Sequence, residues 1–315
     1  MSAPIAIVTG GTGFLGRWAV KGLLQRGFTV HALGAPTDTI LPAEADGAVF
    51  HAANLLDAGI VTRLVREIKP THLVHFAWNA IPGLYWTSPD NYSWSAASLH
   101  LLRVFREAGG ERFVGAGSCA EYDWMRAAVC REDVTPLVLS AAKPATPYAV
   151  CKASLSKIAD AYAASDNFSA AWGRIFFQYG PYEHPDRLVP TIIRALLEGR
   201  PAECSHGRQR RSFLSAMDVG DAFAALATSK VQGAVNIADL HDITIGELAR
   251  TIGRMMGKPD LIRLGVRPSP PDEPPVLVAD MTRLTVEVAW SPRETLESGL
   301  TKTVAWWKAC RASTA

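Results

Sequence analysis

The chain has 315 residues, 48% of them hydrophobic, with 32 basic and 30 acidic side chains: enough for one large domain or two small ones around a substantial core. A formal charge of +2 gives no electrostatic ground for nucleic acid or an anionic membrane as partner. No apolar run approaches the ~18 residues of a membrane span, and five cysteines without a CxxC pair read as reduced thiols of a cytoplasmic protein.

The opening residues lack the basic and apolar regions of a signal peptide. "IAIVTG" (5–10) is an apolar, β-rich run ending in glycine and predicts a buried parallel strand. "FLGRWAVKGLLQRG" (14–27) has helical spacing, and "FTVHALG" (28–34) predicts a second strand. A helix over 59–70 then stops before Pro70, and a strand follows over 71–77. The same alternation continues with helix 94–110, strand 112–118, helix 148–165 and strand 169–176. Strands alternating with helices of this length predict an α/β fold with a doubly wound parallel sheet, the Rossmann arrangement. Beyond residue 177 the pattern loosens. Helices are predicted over 187–199, 244–257 and within 291–309, a proline-rich loop over 267–275, and a return to the main sheet over 211–229. The reading is a dinucleotide-binding domain of residues 1–177 with a return segment at about 208–240. Residues 178–207 and 241–315 form a smaller interleaved substrate domain, with the ligand cleft between the two.

"TGGTGFLG" sets Gly10, Gly13 and Gly16 between the first strand and first helix. Gly10 suits the tight turn, Gly13 the approach of a pyrophosphate, and Gly16 close helix–sheet packing, with free N–H groups of the helix facing the anion. The ordinary alternative is a plain βα turn. Dinucleotide folds usually carry an acid at the end of the second strand for the ribose 2′-hydroxyl. Gly34 stands there, and Arg17 would offer a guanidinium fork to a 2′-phosphate. NADP is therefore favoured, with NAD the alternative.

"PYAVCK" holds Tyr148 and Lys152, four apart and so on one helix face. A lysine charge beside the phenol is expected to lower its pKa toward neutrality, fitting it to exchange a proton at a hydroxyl–carbonyl centre.

These residues resemble the extended short-chain dehydrogenase/reductase superfamily, in its nucleotide-sugar epimerase/dehydratase branch. The resemblance is carried by "TGGTGFLG", "VHFA", "GSCAEY", "PYAVCK", "QYGP", "RQRRSFLSAMDV" and the tail "ADMTRLTVEVAWSPRETLESGLTKTVAWW". It implies a catalytic set of Ser118, Tyr148 and Lys152, with Ser118 holding the reacting sugar oxygen and Lys152 also holding the nicotinamide ribose. It implies cofactor contacts by Thr12, Phe14, Leu15, Asn54, Leu55 and Ala77 beside the glycines and Arg17. It implies substrate contacts by Tyr122, Phe177, Arg187 and Arg211, the last on the diphosphate, and a homodimer through helices 94–110 and 148–165. Phe177 and Ser212 depart from the family's usual Asn and Asp.

The partner so implied is a nucleotide-diphosphate sugar, and no metal spacing such as HExxH occurs among the histidines. Cys119 reads as packing. Trp78 and Trp86 read as core or as a wall of the sugar pocket. The family's 4,6-dehydratases place Asp and Glu directly after the Ser/Thr. Cys119 and Ala120 stand there, and Glu121 comes one place late, so the expectation is that the chain is not a 4,6-dehydratase. The leading expectation is reduction of a nucleotide-linked 4-keto-6-deoxyhexose. The alternatives are a 4-epimerase with tightly bound NAD and, in another class, a non-catalytic dinucleotide sensor.

Overall fold

The computed structural model describes residues 3–38, 40–140, 145–269 and 273–312. Seven parallel strands form the central sheet: β1 (Ile5–Thr9), β2 (Thr29–Gly34), β3 (Val49–Ala52), β4 (His72–His75), β5 (Arg112–Ser118), β6 (Ser169–Ile175) and β7 (Gly233–Ile237). Their order is β7-β6-β5-β4-β1-β2-β3. The order reverses direction between β1 and β4, and a ligand crevice belongs at the carboxyl ends of these strands. Strands buried on both faces read as unbroken apolar runs, as in Ala6, Ile7 and Val8.

Four helices flank the first five strands and β6: α1 (Gly16–Gln25), α2 (Ala58–Ile68), α3 (Asp90–Glu107) and α4 (Pro147–Asp166). Helices α2, α3 and α4 pack in series, whereas α1 packs on a helix from far along the chain, α6 (Ala216–Thr228). Between them lies α5 (Leu188–Leu197), and after them α7 (Ile245–Met255) and α8 (Leu296–Ala312). Helices α5, α7 and α8 share a separate apolar cluster around Ile192, Ile193, Leu248, Ile252 and Leu300. A short parallel pair, Phe177–Tyr179 with Phe213–Ser215, stitches this region to the sheet.

The strands β3 and β7, at the two ends of the sheet, have no counterpart in the sequence reading. The run of β3 is only four residues and half exposed, so it carries no strong period. The final helix starts at Leu296 rather than 291. The backbone N–H groups of Arg293 and Glu294 donate to the Asp218 carboxylate at 3.1 and 3.0 Å, which holds them outside the helix. The proline-rich loop expected over 267–275 lies partly outside the described residues. Among the described residues no helix is long and apolar enough to cross a membrane.

Candidate active site

The first βα turn is tight for reasons that can be measured. Gly10 has φ +67°, and a Cβ on Gly16 would sit 2.0 Å from the Gly10 carbonyl oxygen. Gly10, Gly13, Phe14, Leu15, Gly16, Arg17 and Ala77 line a cavity of about 690 Å³ at the carboxyl ends of β1 and β4. A glycine cradle at a helix N-terminus fits a dinucleotide pyrophosphate.

Two features weaken the ground for the expected NADP preference. Arg17 is not a free fork: its Nη2 donates to the Thr12 carbonyl at 2.5 Å and its Nε to that of Gly13 at 3.0 Å. It also pairs with Glu44 at 3.6 Å and stacks on the Tyr182 ring at 3.7 Å. An acid does stand at the end of β2, supplied by Asp38. Its Oδ2 accepts from Thr12 Oγ1 at 2.5 Å and from the Ala35 N–H at 2.9 Å, and lies 2.6 Å from where a Gly34 Cβ would be. A carboxylate there accepts a ribose hydroxyl and repels a 2′-phosphate. The signal was in "GAPTD", four residues past the strand end. Thr12 therefore acts on Asp38. Asn54 accepts from the Leu56 N–H at 3.1 Å, and Leu55 is buried in the core, so neither lines a described cavity.

A second cavity, of about 380 Å³, joins the first through Leu15, Phe76, Trp78, Gln178, Glu183 and Arg187. Ser118, Tyr148 and Lys152 all line it. Ser118 ends β5, where its Oγ accepts from the Ala120 N–H at 3.2 Å and caps a short 3₁₀ turn. Thr146 caps α4, and Pro147 at its first turn sets Tyr148 and Lys152 one helical turn apart on the buried side. Lys152 donates to the Ala116 carbonyl at 2.9 Å and lies 3.9 Å from the Trp78 ring centroid.

The electrostatics differ from the sequence expectation. Burial raises the Tyr148 phenol, Tyr85 adds to this, and a hydrogen bond from Ser118 works the other way. Lys152 is not a fixed charge: burial lowers its ammonium to about 7, with Glu121 opposing. The lysine therefore sits near its titration point, and the phenol is protonated at neutral pH.

Tyr122 does not line the sugar pocket. It is 1% exposed; its hydroxyl donates to Asn236 Oδ1 at 2.7 Å and accepts from Arg174 Nη1 at 3.1 Å. Glu121, fully buried, accepts from the Ser118 N–H at 2.8 Å, from Trp172 Nε1 at 2.8 Å and from Arg174 Nε at 2.8 Å. These two residues form the floor beneath Ser118. The buried Cys119 thiol is pushed up to about 12 by burial and is inert at neutral pH.

The cavity is also lined by Phe177, Arg187, Arg211 and Glu273. Arg211 is 2% exposed, pairs with Glu273 at 3.0 Å and donates to the Pro274 carbonyl at 2.8 Å, so part of its fork is already engaged. Glu183, which the sequence reading missed, lies where the cavities meet. Burial lifts its carboxyl to about 8, and no hydrogen-bond partner for its Oε2 exists among the described residues.

A seven-stranded parallel sheet with a glycine cradle, and serine, tyrosine and lysine brought to one cavity beside it, define a short-chain dehydrogenase/reductase. The chain belongs to the NAD dependent epimerase/dehydratase family, matched over residues 6–238. A dTDP-glucose 4,6-dehydratase of Xanthomonas campestris is 25% identical, over 96% of this chain and 92% of that one. A UDP-glucose 4-epimerase from Thermotoga maritima superposes with TM-score 0.84 at 19% identity, covering 98% of this chain and 99% of its own. The Thermus thermophilus UDP-glucose 4-epimerase, solved with NAD, gives 0.80 at 25%, covering 96% and 99%.

These relatives overturn the exclusion of 4,6-dehydration. Four of them, matched over 96–97% of this chain, carry the name dTDP-glucose 4,6-dehydratase. The physical fault in the exclusion was to count acids at two positions of one strand end. An acid held near neutrality by burial can enter the cavity from another segment, as Glu183 does.

Proposed function

We propose that this chain catalyses NAD-dependent oxidoreduction at a hydroxyl-bearing carbon of a nucleotide-linked sugar. The observation that carries the reading is the convergence of Ser118, Tyr148 and Lys152 on a cavity continuous with the glycine cradle. Bound in that cradle, NAD supplies the acceptor and donor of hydride. Tyr148 moves the proton at the sugar oxygen, and Ser118 holds that oxygen. Lys152, near its titration point beside Tyr148, tunes the charge around the phenol. Arg187 and Arg211 face the diphosphate, with Phe177 packed under Arg211. Residues 1–177 with about 208–240 serve the dinucleotide, and 178–207 with 241–315 the sugar nucleotide.

Asp38 supports one of the finer outcomes. It supports retained NAD, and with it 4-epimerisation, over NADPH-driven reduction of a 4-keto-6-deoxyhexose. The test is incubation of the purified protein with dTDP- and UDP-linked hexoses and their 4-keto-6-deoxy derivatives. Interconversion of C4 epimers without added cofactor, and its loss by roughly 10²–10⁴-fold in Tyr148→Phe, is the expected result. Net consumption of NADPH, or loss of water from the sugar, would replace epimerisation. Activity unchanged in Tyr148→Phe would remove the tyrosine mechanism. A homodimer through α3 and α4 is supported by exposed Tyr92, Val150 and Ile158 on these helices. A monomeric wild type in sedimentation would remove it.

A further inference from the structure

Trp78 stands just past β4 and lines both cavities where they meet. Its indole is held from behind. Nε1 donates to Asn91 Oδ1 at 2.9 Å. Asn91, 1% exposed in the first turn of α3, donates in turn to the Tyr85 and Ser88 carbonyls at 2.7 and 2.8 Å. These polar bonds fix the rotation of the ring, which packing alone would leave looser. The ring so held turns its face to one member of the catalytic set and meets another edge-on. Lys152 Nζ lies 3.9 Å from the ring centroid, and the Tyr148 ring stands at 6.3 Å and 79° to it.

Lys152 is poorly supplied for a buried cation. It is 3% exposed, and its described hydrogen bond goes to the Ala116 carbonyl at 2.9 Å. Glu121, the acid that bears on it, is committed to Arg174 at 2.8 Å. Cys151 and His75 also face it, and burial keeps His75 neutral by lowering it to about 3. An ammonium over an indole face is attracted by the ring quadrupole, most strongly where water is excluded. The other indole nearby, Trp172, stands at 6.0 Å, the limit of that attraction.

We infer that Trp78 is a positioning residue of the reaction: its ring face holds the Lys152 ammonium, charged, against the Ala116 carbonyl and beside Tyr148. This rests on the nucleotide-sugar reading above, in which Lys152 acts on the phenol. Burial drives the amine toward its neutral form, and the ring works with Glu121 against it. A tryptophan that only packed would be replaced by any ring of the same shape. The role inferred here needs the electron-rich face.

The test places mono-, di- and trifluorinated tryptophan at position 78, which withdraws electron density from the ring face at nearly constant shape. Nuclear magnetic resonance of the full chain, with lysine isotope-labelled at Cε, reads the charge; the Lys152 signal is the one lost in Lys152→Arg. Its titration midpoint should fall with each added fluorine, by about one pH unit in all. Glu183, raised to about 8, titrates nearby but gives no signal in a lysine spectrum. The ammonium is the working form, so the alkaline limb of kcat against pH should move down by the same amount. Trp78→Leu should show the full shift, and the fluorinated proteins carry the test where the leucine variant does not fold. A midpoint unmoved by fluorination overturns the inference and leaves the nucleotide-sugar reading intact. A midpoint that falls while the kcat limb stays in place overturns the role in the reaction. A wild type that turns over no nucleotide sugar overturns both.

Discussion

Replacing Glu121 by alanine should destabilise the protein by about 3–5 kcal/mol, because it strands a buried charge. Glu121 and Arg174 are 0% and 1% exposed, with 2.8 Å between Oε2 and Nε. Burial lowers the Arg174 guanidinium, but Glu121 and Tyr122 more than offset this and leave it raised. Without the carboxylate, Arg174 keeps the Tyr122 hydroxyl at 3.1 Å and loses its only ion pair among those described. The N–H groups of Ser118 and Trp172 lose their acceptor at the same time, a cost of about 1–3 kcal/mol each that does not simply add. Equilibrium urea unfolding measures the loss. Steady-state kinetics below the transition reads a second effect: Ser118 is anchored through its N–H to Glu121, so kcat should fall more than KM rises. The double variant Glu121→Leu/Arg174→Met removes both charges and should recover the part of the loss that comes from the stranded arginine, while the Ser118 and Trp172 donors stay unpaired. A loss below about 1 kcal/mol in Glu121→Ala, or a double variant as unstable as the single one, would refute the stranded-charge argument.

Asp38→Asn should strengthen NADP binding roughly tenfold relative to NAD, by removing one carboxylate from the site of a 2′-phosphate; competitive titration of the two dinucleotides measures the ratio, and an unchanged ratio would acquit Asp38. Glu183 gives a pH signature. Its folded carboxyl is raised from 4.5 to about 8. The folded state therefore binds more protons than the unfolded one between those values, and this contribution to stability, present below 4.5, is lost as pH rises through 8, with an upper limit of about 5 kcal/mol. Lys152, lowered from 10.5 to about 7, acts in the opposite sense and at higher pH, adding stability as pH rises from 7 toward 10.5. Glu183→Gln should flatten the decline in unfolding free energy between pH 5 and 7, and an unaltered slope in urea titrations would show that Glu183 is ionised throughout.

What could be read in the sequence depended on how local its cause was. The strand "IAIVTG" and the glycine turn after it follow from residue type and spacing alone, since a Cβ at Gly16 would collide with the chain six residues back. Edge strand β3 is legible only from its neighbour: its pairing from His31↔Val49 to Gly34↔Ala52 defines it, while its own four residues are half exposed. Ser118 and Tyr148, 30 residues apart, are brought together because β5 ends beside the first turn of α4, a matter of sheet order.

Charge was the least legible property, because it depends on burial and on partners from other segments. Tyr148 and Lys152 were expected to share a lowered phenol and a fixed cation. Their helix instead buries both, which raises one group and lowers the other. Tyr122 sits one residue after Glu121, yet Arg174 and Asn236, from β6 and β7, draw it into the core and out of the sugar pocket. Asp38 and Glu183 show the converse: acids outside the expected positions reach the cofactor end and the junction of the cavities by tertiary placement. The acids that bear on this site are therefore placed by the fold, not by the residues that directly follow Ser118 along the chain.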